Sequence, residues 1–207
     1  MTGRFITLEG GEGAGKSTQA RALAAALKER GLSVLLTREP GGSEGAERVR
    51  DLLMQGDQGR WGPRAEALLF AAARADHVEK LIAPALARGT WVISDRYLDS
   101  TRAYQGASGI GDDAILALHG FGSGGLMPDR TILLTLSPER GVARATARDG
   151  ERADRFVARN GAFHARVAAA FDRIAAAEPA RVRRVDAASE PAVVTAAILR
   201  ELSDLTS

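Results

Sequence analysis

The chain has no cysteine, so neither a disulfide framework nor a thiolate metal site is open to it, and the absence agrees with a reducing cytoplasm. Histidine is scarce as well. His77, His119 and His164 match no nucleophile or metal-ligand spacing, and each reads as a structural or surface residue. No segment approaches the roughly 18 uninterrupted apolar residues of a membrane span, and the N-terminus lacks the charged-then-apolar pattern of a secretory signal. Nor does one sign of charge dominate. Lys and Arg number 28 against 26 Asp and Glu, a balance that describes a mixed, solvated surface and gives no ground for a nucleic-acid partner. The expectation is a soluble, cytoplasmic protein with no nucleic acid and no membrane among its partners.

What the chain does have is glycine in one telling arrangement. Gly10-Gly11-Glu12-Gly13-Ala14-Gly15-Lys16-Ser17 fits the phosphate-loop pattern G-x-x-x-x-G-K-[ST], between an apolar run at 5–8 and a helical stretch at 19–30. Glycines at this spacing let backbone N–H groups converge on phosphate oxygens, and the helix that follows presents its positive end to them. Lys16 then reaches the β- and γ-phosphates, and the Ser17 hydroxyl reaches Mg²⁺.

The 207 residues are 45% hydrophobic, enough for one sizeable core, and domains of this length are mostly single. Strand-like runs at 5–8, 33–37, 91–94, 131–136 and 181–185 alternate with helix-length stretches such as 65–88 and 163–177. Parallel strands need crossovers and helices supply them. The pattern predicts one α/β domain with a five-stranded, mostly parallel sheet and helices on both faces. The glycine-rich stretch 120–125, followed by Pro128, reads as a surface loop. Phe163, His164 and Val167 read as a helix-packing stripe.

Ligands in such folds collect at the carboxyl ends of the strands. Arg38-Glu39-Pro40-Gly41-Gly42 follows the second run and Asp95-Arg96-Tyr97 the third, so each places an arginine and a carboxylate beside the phosphate loop. Arginines there neutralise phosphate oxygens, while carboxylates hold metal-bound waters or orient the arginines.

Together with the loop in the form Glu9 to Thr18, the Thr37 to Gly42 segment, the Phe70 to Arg74 spacing and the run D-R-Y-L-D-S-T-R-A-Y-Q-G from Asp95 to Gly106, the chain resembles thymidylate kinases of the bacterial type. The likeness continues through Pro128-Asp129, Ser137-Pro138-Glu139-Arg140-Gly141 and Asp154-Arg155-Phe156. It implies a P-loop nucleoside monophosphate kinase fold. It also implies transfer of the γ-phosphoryl of ATP to dTMP with Mg²⁺, giving dTDP on the way to dTTP, by a cytoplasmic homodimer. On the same basis Gly10, Gly11, Glu12, Gly13, Ala14, Gly15, Lys16, Ser17 and Thr18 hold ATP. Ser17 meets the metal, with Glu12, Glu39 and Asp95 reaching it through water. Phe70 stacks on thymine and Arg74, one helical turn on, meets the base edge, a geometry that the i, i+4 spacing permits. Thr101 and Gln105 contact the base, Tyr104 packs where a ribose 2′-hydroxyl would lie, and Arg38 and Arg96 clamp the dTMP phosphate beside Arg50. Glu12 approaches the sugar 3′-hydroxyl and the metal; a carboxylate inside a phosphate loop otherwise opposes the positive field there.

The run 144–156 is the expected lid, its arginines supplying the charge that the phosphate loop lacks. Arg148 and Arg155 are the expected donors to the transferring phosphoryl, ahead of Arg144 and Arg152, and Asp154 orients an arginine. Two positions depart from the family pattern: Val157 stands where a glutamate is common, and Thr135 where an aspartate is. Within the same chemistry, a deoxynucleoside kinase also pairs a phosphate loop with a D-R motif and an arginine lid, but needs a strong general base for a bare 5′-hydroxyl. A nucleotide switch would carry an N-K-x-D motif, which is absent.

Overall fold

A computed structural model describes residues 3–56, 59–149, 156–157 and 159–206, with the backbone alone at 148 and 149. Five strands, β1 (Phe5–Glu9), β2 (Val34–Arg38), β3 (Trp91–Asp95), β4 (Arg130–Thr135) and β5 (Val182–Asp186), form one sheet in the order β2-β3-β1-β4-β5. Every pairing among the described residues is parallel, so the sheet expected to be mostly parallel is wholly so. Parallel strands are covered on both faces, and β1 is accordingly buried along its whole length.

Alternation along the strands divides the core. Ile6, Leu8, Ile93, Ile132 and Leu134 pack on one face against α1 (Lys16–Glu29) and α9 (Pro191–Glu201). On the opposite face Phe5 and Val92 meet Val78, Ile82, Tyr97 and Ile115. Beside them Leu133 and Val182 meet Tyr104 of α5 (Leu98–Ala107) and Phe163, Val167 and Phe171 of α8 (Gly161–Ala177). The stripe Phe163, His164 and Val167 is thus helix packing.

The stretch 65–88 is not one helix. α3 (Pro63–His77) widens into a π-helical turn at Val78–Ile82 and resumes as α4 (Ala83–Ala87). Pro84 lacks an N–H and its ring crowds the carbonyl four residues back, which disfavours regular α-helix there. The stretch 120–125 departs from the expected surface loop: α6 (Asp112–Ser123) runs through Gly120 and Gly122 and ends at Gly124, whose φ is 60°. Glycine serves close packing here, since a Cβ at Gly122 would stand 3.3 Å from the Cβ of Ala75 on α3. α2 (Glu44–Met54) and α7 (Pro138–Asp149) complete the helices that bear on the site. Among the described residues no helix is long and apolar enough to cross a membrane.

The register decides where function can sit. Leu8 and Arg38 both align with Asp95, so Glu9, Arg38 and Asp95 end at one edge of the sheet. The phosphate loop leaves β1 at that edge.

Candidate active site

Gly15, with φ 90°, opens α1 without a side-chain cap and without an acidic residue in the first turn. Its unpaired N–H groups are therefore available to phosphate oxygens. The loop tip touches α7: Gly13 has φ +65°, and a Cβ there would lie 2.0 Å from the carbonyl oxygen of Gly141. Lys16 curls back over the loop, donating from Nζ to the carbonyls of Gly10 at 3.1 Å and Gly11 at 2.7 Å. Burial, reinforced by the neighbouring Arg96 charge, pushes the Lys16 ammonium down to about 8. The Ser17 hydroxyl donates to the Asp95 carboxylate. Among the described residues no three His, Asp or Glu side chains converge as a metal cage. A hydroxyl beside a carboxylate is nonetheless the donor set that suits Mg²⁺ arriving with phosphates and waters of its own.

Arg96 sits at the centre of the site. Its φ of 70° is unusual for a residue with a side chain, a backbone cost of order 1–3 kcal/mol. Two contacts hold it: Ser94 Oγ donates to the Arg96 carbonyl at 2.7 Å, and the Arg96 N–H donates to Leu8 O at 3.0 Å. The turn aims the guanidinium at the loop, where it donates to Glu12 at 2.8 Å, Gly10 O at 3.2 Å, Ser100 Oγ at 2.9 Å and the Tyr104 hydroxyl at 3.3 Å. Tyr104 in turn donates to Glu12 Oε1 at 2.7 Å. Burial opposes charge on Glu12, yet Arg96, Lys16 and the Tyr104 hydrogen bond outweigh it and hold the carboxyl at about 2. The acidic residue in the loop is thus the counter-charge that fixes Arg96.

A second cluster lies deeper. Arg74, 3% exposed, donates from Nε to Glu39 Oε2 at 2.8 Å, and from Nη2 to Thr101 Oγ1 at 2.7 Å and Tyr97 O at 3.2 Å. Gln105 donates to Glu66 Oε1 at 2.9 Å. The Phe70 ring lies 6.0 Å from that of Phe156. Glu39, expected to reach the metal through water, here engages Arg74 and His77 with its two oxygens. On the rim, Arg38 meets Glu47 at 3.0 Å with its side chain 55% exposed, and Arg50 donates to Pro40 O at 2.6 Å.

Most of the expected residues share one cleft of about 220 Å³: Glu12, Gly13, Gly15, Lys16, Ser17, Thr18, Arg38, Glu39, Arg50, Phe70, Arg74, Asp95, Arg96, Thr101, Tyr104 and Gln105. Gly10, Gly11 and Ala14 instead border a cavity of about 360 Å³ behind the loop, with Glu12 common to both. Met54, Ser100 and Phe156 line the cleft without having been assigned a role from the sequence. Ser100 belongs to the D-R-Y run and Phe156 to the Asp154-Arg155-Phe156 segment, so both had a local signal, whereas the supporting Glu66 carries none. Of the arginines expected in a lid, Arg144 donates to Ala187 O at 3.2 Å. The Arg148 side chain, Arg152, Asp154 and Arg155 lie outside the described residues. Thr135 donates to Val185 O at 3.3 Å, tying β4 to β5, and the Val157 carbonyl faces His164 Nε2 at 3.4 Å. His119 packs edge-on to Tyr97 at 5.7 Å, and burial, with Arg74 adding to it, lowers its ring to about 4.

A glycine loop on a parallel sheet in this strand order, facing a second pocket across an arginine, defines a P-loop protein of the nucleoside monophosphate kinase fold. Comparison with known proteins narrows the class. The family model described as thymidylate kinase matches residues 8–198. The chain is 58% identical over 206 residues to a thymidylate kinase of Rhizorhabdus wittichii, covering 99% of both, and 52% identical over 197 residues to one of Caulobacter vibrioides, covering 95% of this chain and 94% of that one. A crystal structure of thymidylate kinase from Ehrlichia chaffeensis superposes with a TM-score of 0.80 at 32% identity, covering 98% of this chain and 100% of that one. The chain belongs to the thymidylate kinase family.

Proposed function

We propose that the protein transfers the γ-phosphoryl group of ATP directly to the 5′-phosphate of dTMP, giving dTDP and ADP, with no covalent enzyme intermediate. The observation that carries this reading is the single cleft in which the phosphate loop and the Phe70–Arg74 pocket face each other across Arg96. In it the loop and the start of α1 hold the ATP phosphates, with Lys16 leaving its carbonyl partners for the β- and γ-oxygens. Phe70 stacks on thymine, Arg74 meets the base edge, and Thr101 and Gln105 line the base. Tyr104 excludes a ribose 2′-hydroxyl, and Arg38, Arg50 and Arg96 receive the acceptor phosphate. Phosphoryl transfer of this kind depends on positioning and on charge placed around the moving group, which Lys16 and Arg96 supply from the fold. Glu12, held ionised by Arg96, keeps that arginine aimed and meets the sugar 3′-hydroxyl.

Mg²⁺ would be held by Ser17 and, through water, by Asp95 and Glu12; when bound it neutralises developing charge on the phosphates. Residues 144–156 act as lid of a single P-loop kinase domain, with Arg148 and Arg155 as its donors. The working unit is a cytoplasmic homodimer. Exposed Leu68 on α3, with Leu116 and the 95% exposed Phe121 on the adjacent α6, supports pairing with a second copy. A coupled ADP-release assay with Mg·ATP and a panel of nucleosides and monophosphates tests the reaction. dTMP is expected to be turned over fastest and thymidine not at all; faster phosphorylation of thymidine would overturn the assignment in favour of a nucleoside kinase.

A further inference from the structure

Behind the base pocket runs a buried relay that the phosphate chemistry does not use. Thr37, on β2, has Oγ1 2.8 Å from His77 Nε2, and His77 Nδ1 lies 3.0 Å from Glu39 Oε1. The other oxygen of Glu39 accepts from Arg74 Nε at 2.8 Å. His77 is fully buried and Glu39 and Arg74 nearly so. A carboxylate oxygen only accepts, so Nδ1–H donates to Glu39, while Nε2 shares its hydrogen bond with the Thr37 hydroxyl. The backbone is fitted to the pair: Gly42 has φ +93°, and a Cβ there would stand 2.4 Å from His77 Nε2 and 2.5 Å from Thr37 Oγ1.

The relay ends on a guanidinium whose plane it defines. Arg74 Nε is held by Glu39 and Nη2 by Thr101 and Tyr97 O, while Nη1 donates to none of the described residues. Arg74 itself borders the cleft. A guanidinium is a permanent donor. Thymine presents O4, an acceptor, where cytosine presents the N4 amino group, a donor. A donor fixed in direction therefore separates the two bases, whereas one free to swing can turn aside or admit a bridging water. Glu39 fixes the Nε side of the donor, as Thr101 and Tyr97 O fix Nη2, and His77 holds Glu39.

We propose that His77 is a specificity-determining positioning residue: acting through Glu39, it fixes the Arg74 guanidinium so that the site accepts thymine and rejects cytosine. The inference rests on the reading that Arg74 meets the base. Asparagine places an amide nitrogen near the site of Nδ1 and can still donate to Glu39, whereas glutamine places its amide near Nε2 and abandons Glu39.

The test is steady-state kinetics with dTMP and dCMP as acceptors on His77→Gln, His77→Asn, Thr37→Val and Arg74→Ala. His77→Gln is expected to raise the dTMP KM about tenfold, and to lower the dTMP-over-dCMP ratio of kcat/KM by a similar factor, the scale of a hydrogen bond to a charged group. The ATP KM stays at its wild-type value. His77→Asn is expected to recover both quantities to within about threefold of wild type. Should both His77 variants keep wild-type selectivity, or asparagine rescue no better than glutamine, the positioning role is wrong. If the glutamine variant does not fold, the nearly isosteric Thr37→Val decides: reduced selectivity supports the relay and unchanged selectivity overturns it. Arg74→Ala separates the two ideas. If it leaves the dTMP KM and the discrimination unchanged, the base-reading role of Arg74 fails with the inference; if it changes both while the His77 variants change neither, only the relay fails.

Discussion

The two ends of the cleft, one proposed above to hold the base and the other the phosphates, are built differently. At the base end Arg74 is buried, engaged through Nε and Nη2, and backed by Glu39, His77 and Thr37. At the phosphate end Lys16 rests on two loop carbonyls that a nucleotide can displace, and Arg38 stands on an exposed rim against Glu47. One end is a fixed template and the other holds charge in reserve. Recognition of a flat base gains from side chains that do not move, since direction is what discriminates. Gathering charge around a moving phosphoryl gains from groups whose resting contacts are easily exchanged. The contrast makes different demands on variants: at the phosphate end they should fail in rate, at the base end in stability and in KM for the acceptor.

The largest expected break is at the phosphate end. Lys16→Met should lower kcat by a factor on the order of 1000, at the upper end of what one charge-stabilising group contributes. It should nonetheless leave the thermal midpoint and dTMP binding close to wild type, because burial already disfavours charge at Lys16. Stopped turnover combined with a collapsed midpoint would mean that the lysine is a structural strut and that the contrast between the ends is false.

Arg74→Ala should show the opposite signature. Removing the guanidinium leaves Glu39 buried without its main counter-charge, a loss of about 3 kcal/mol or more in urea unfolding. The dTMP KM should rise while the ATP KM holds. An alanine variant as stable as wild type would show that the buried pair does not hold the pocket.

Between the ends lies Glu9, at the close of β1, which accepts from the Tyr97 N–H at 2.8 Å and from Ser100 Oγ at 2.5 Å and so supports the turn that carries Arg96. Burial, with the Asp99 charge adding to it, raises its carboxyl to about 7. A raised folded value means stability that is fully present below the ordinary value of 4.5 and is lost as pH climbs through about 7. The loss from this group is on the order of 3 kcal/mol. The lowered His119 ring works in the opposite sense, adding stability as pH rises, so the Glu9 part is read by substitution: Glu9→Gln should raise the unfolding free energy at pH 8 relative to that at pH 5, compared with wild type. An unchanged pH 5 to pH 8 difference in the variant would show that Glu9 does not carry this loss.

The contrast between the ends also sets what the sequence could reveal. The phosphate loop and the D-R-Y run are contiguous, and each carries its chemistry within a dozen residues, so both were readable, as were the five strands from their apolar runs. The relay was not. Glu39 meets His77 and Gln105 meets Glu66 across nearly forty residues of intervening chain, and His77 read only as structural or surface. Pairings made between separate elements, α3 with the turn after β2 and α3 with α5, leave no periodic trace in any of the segments. The misread stretch 120–125 has another cause: glycine signals a loop when a turn needs it, but in α6 it lets two helices approach, and one sequence does not separate the two uses.

The smallest expected effect belongs to the rim and completes the comparison. Arg38→Ala removes one half of an exposed ion pair, and Glu47 keeps its hydrogen bond from the Gly42 N–H at 2.8 Å, so no buried charge is stranded. Its stability cost should stay below about 1 kcal/mol, several-fold less than that of Arg74→Ala. If Arg38 contacts the acceptor phosphate, the substitution still raises the dTMP KM, and it does so through a charge that salt can reach. The gap in KM between wild type and variant should therefore narrow as ionic strength rises from about 0.1 M towards 1 M, where the screening length falls from about 10 to 3 Å. The gap produced by Arg74→Ala, made inside the protein, should hardly respond. Kinetics of both variants across that salt range decides the matter: equal salt responses would mean that the two arginines meet dTMP in the same way and that the cleft has no fixed and adjustable ends.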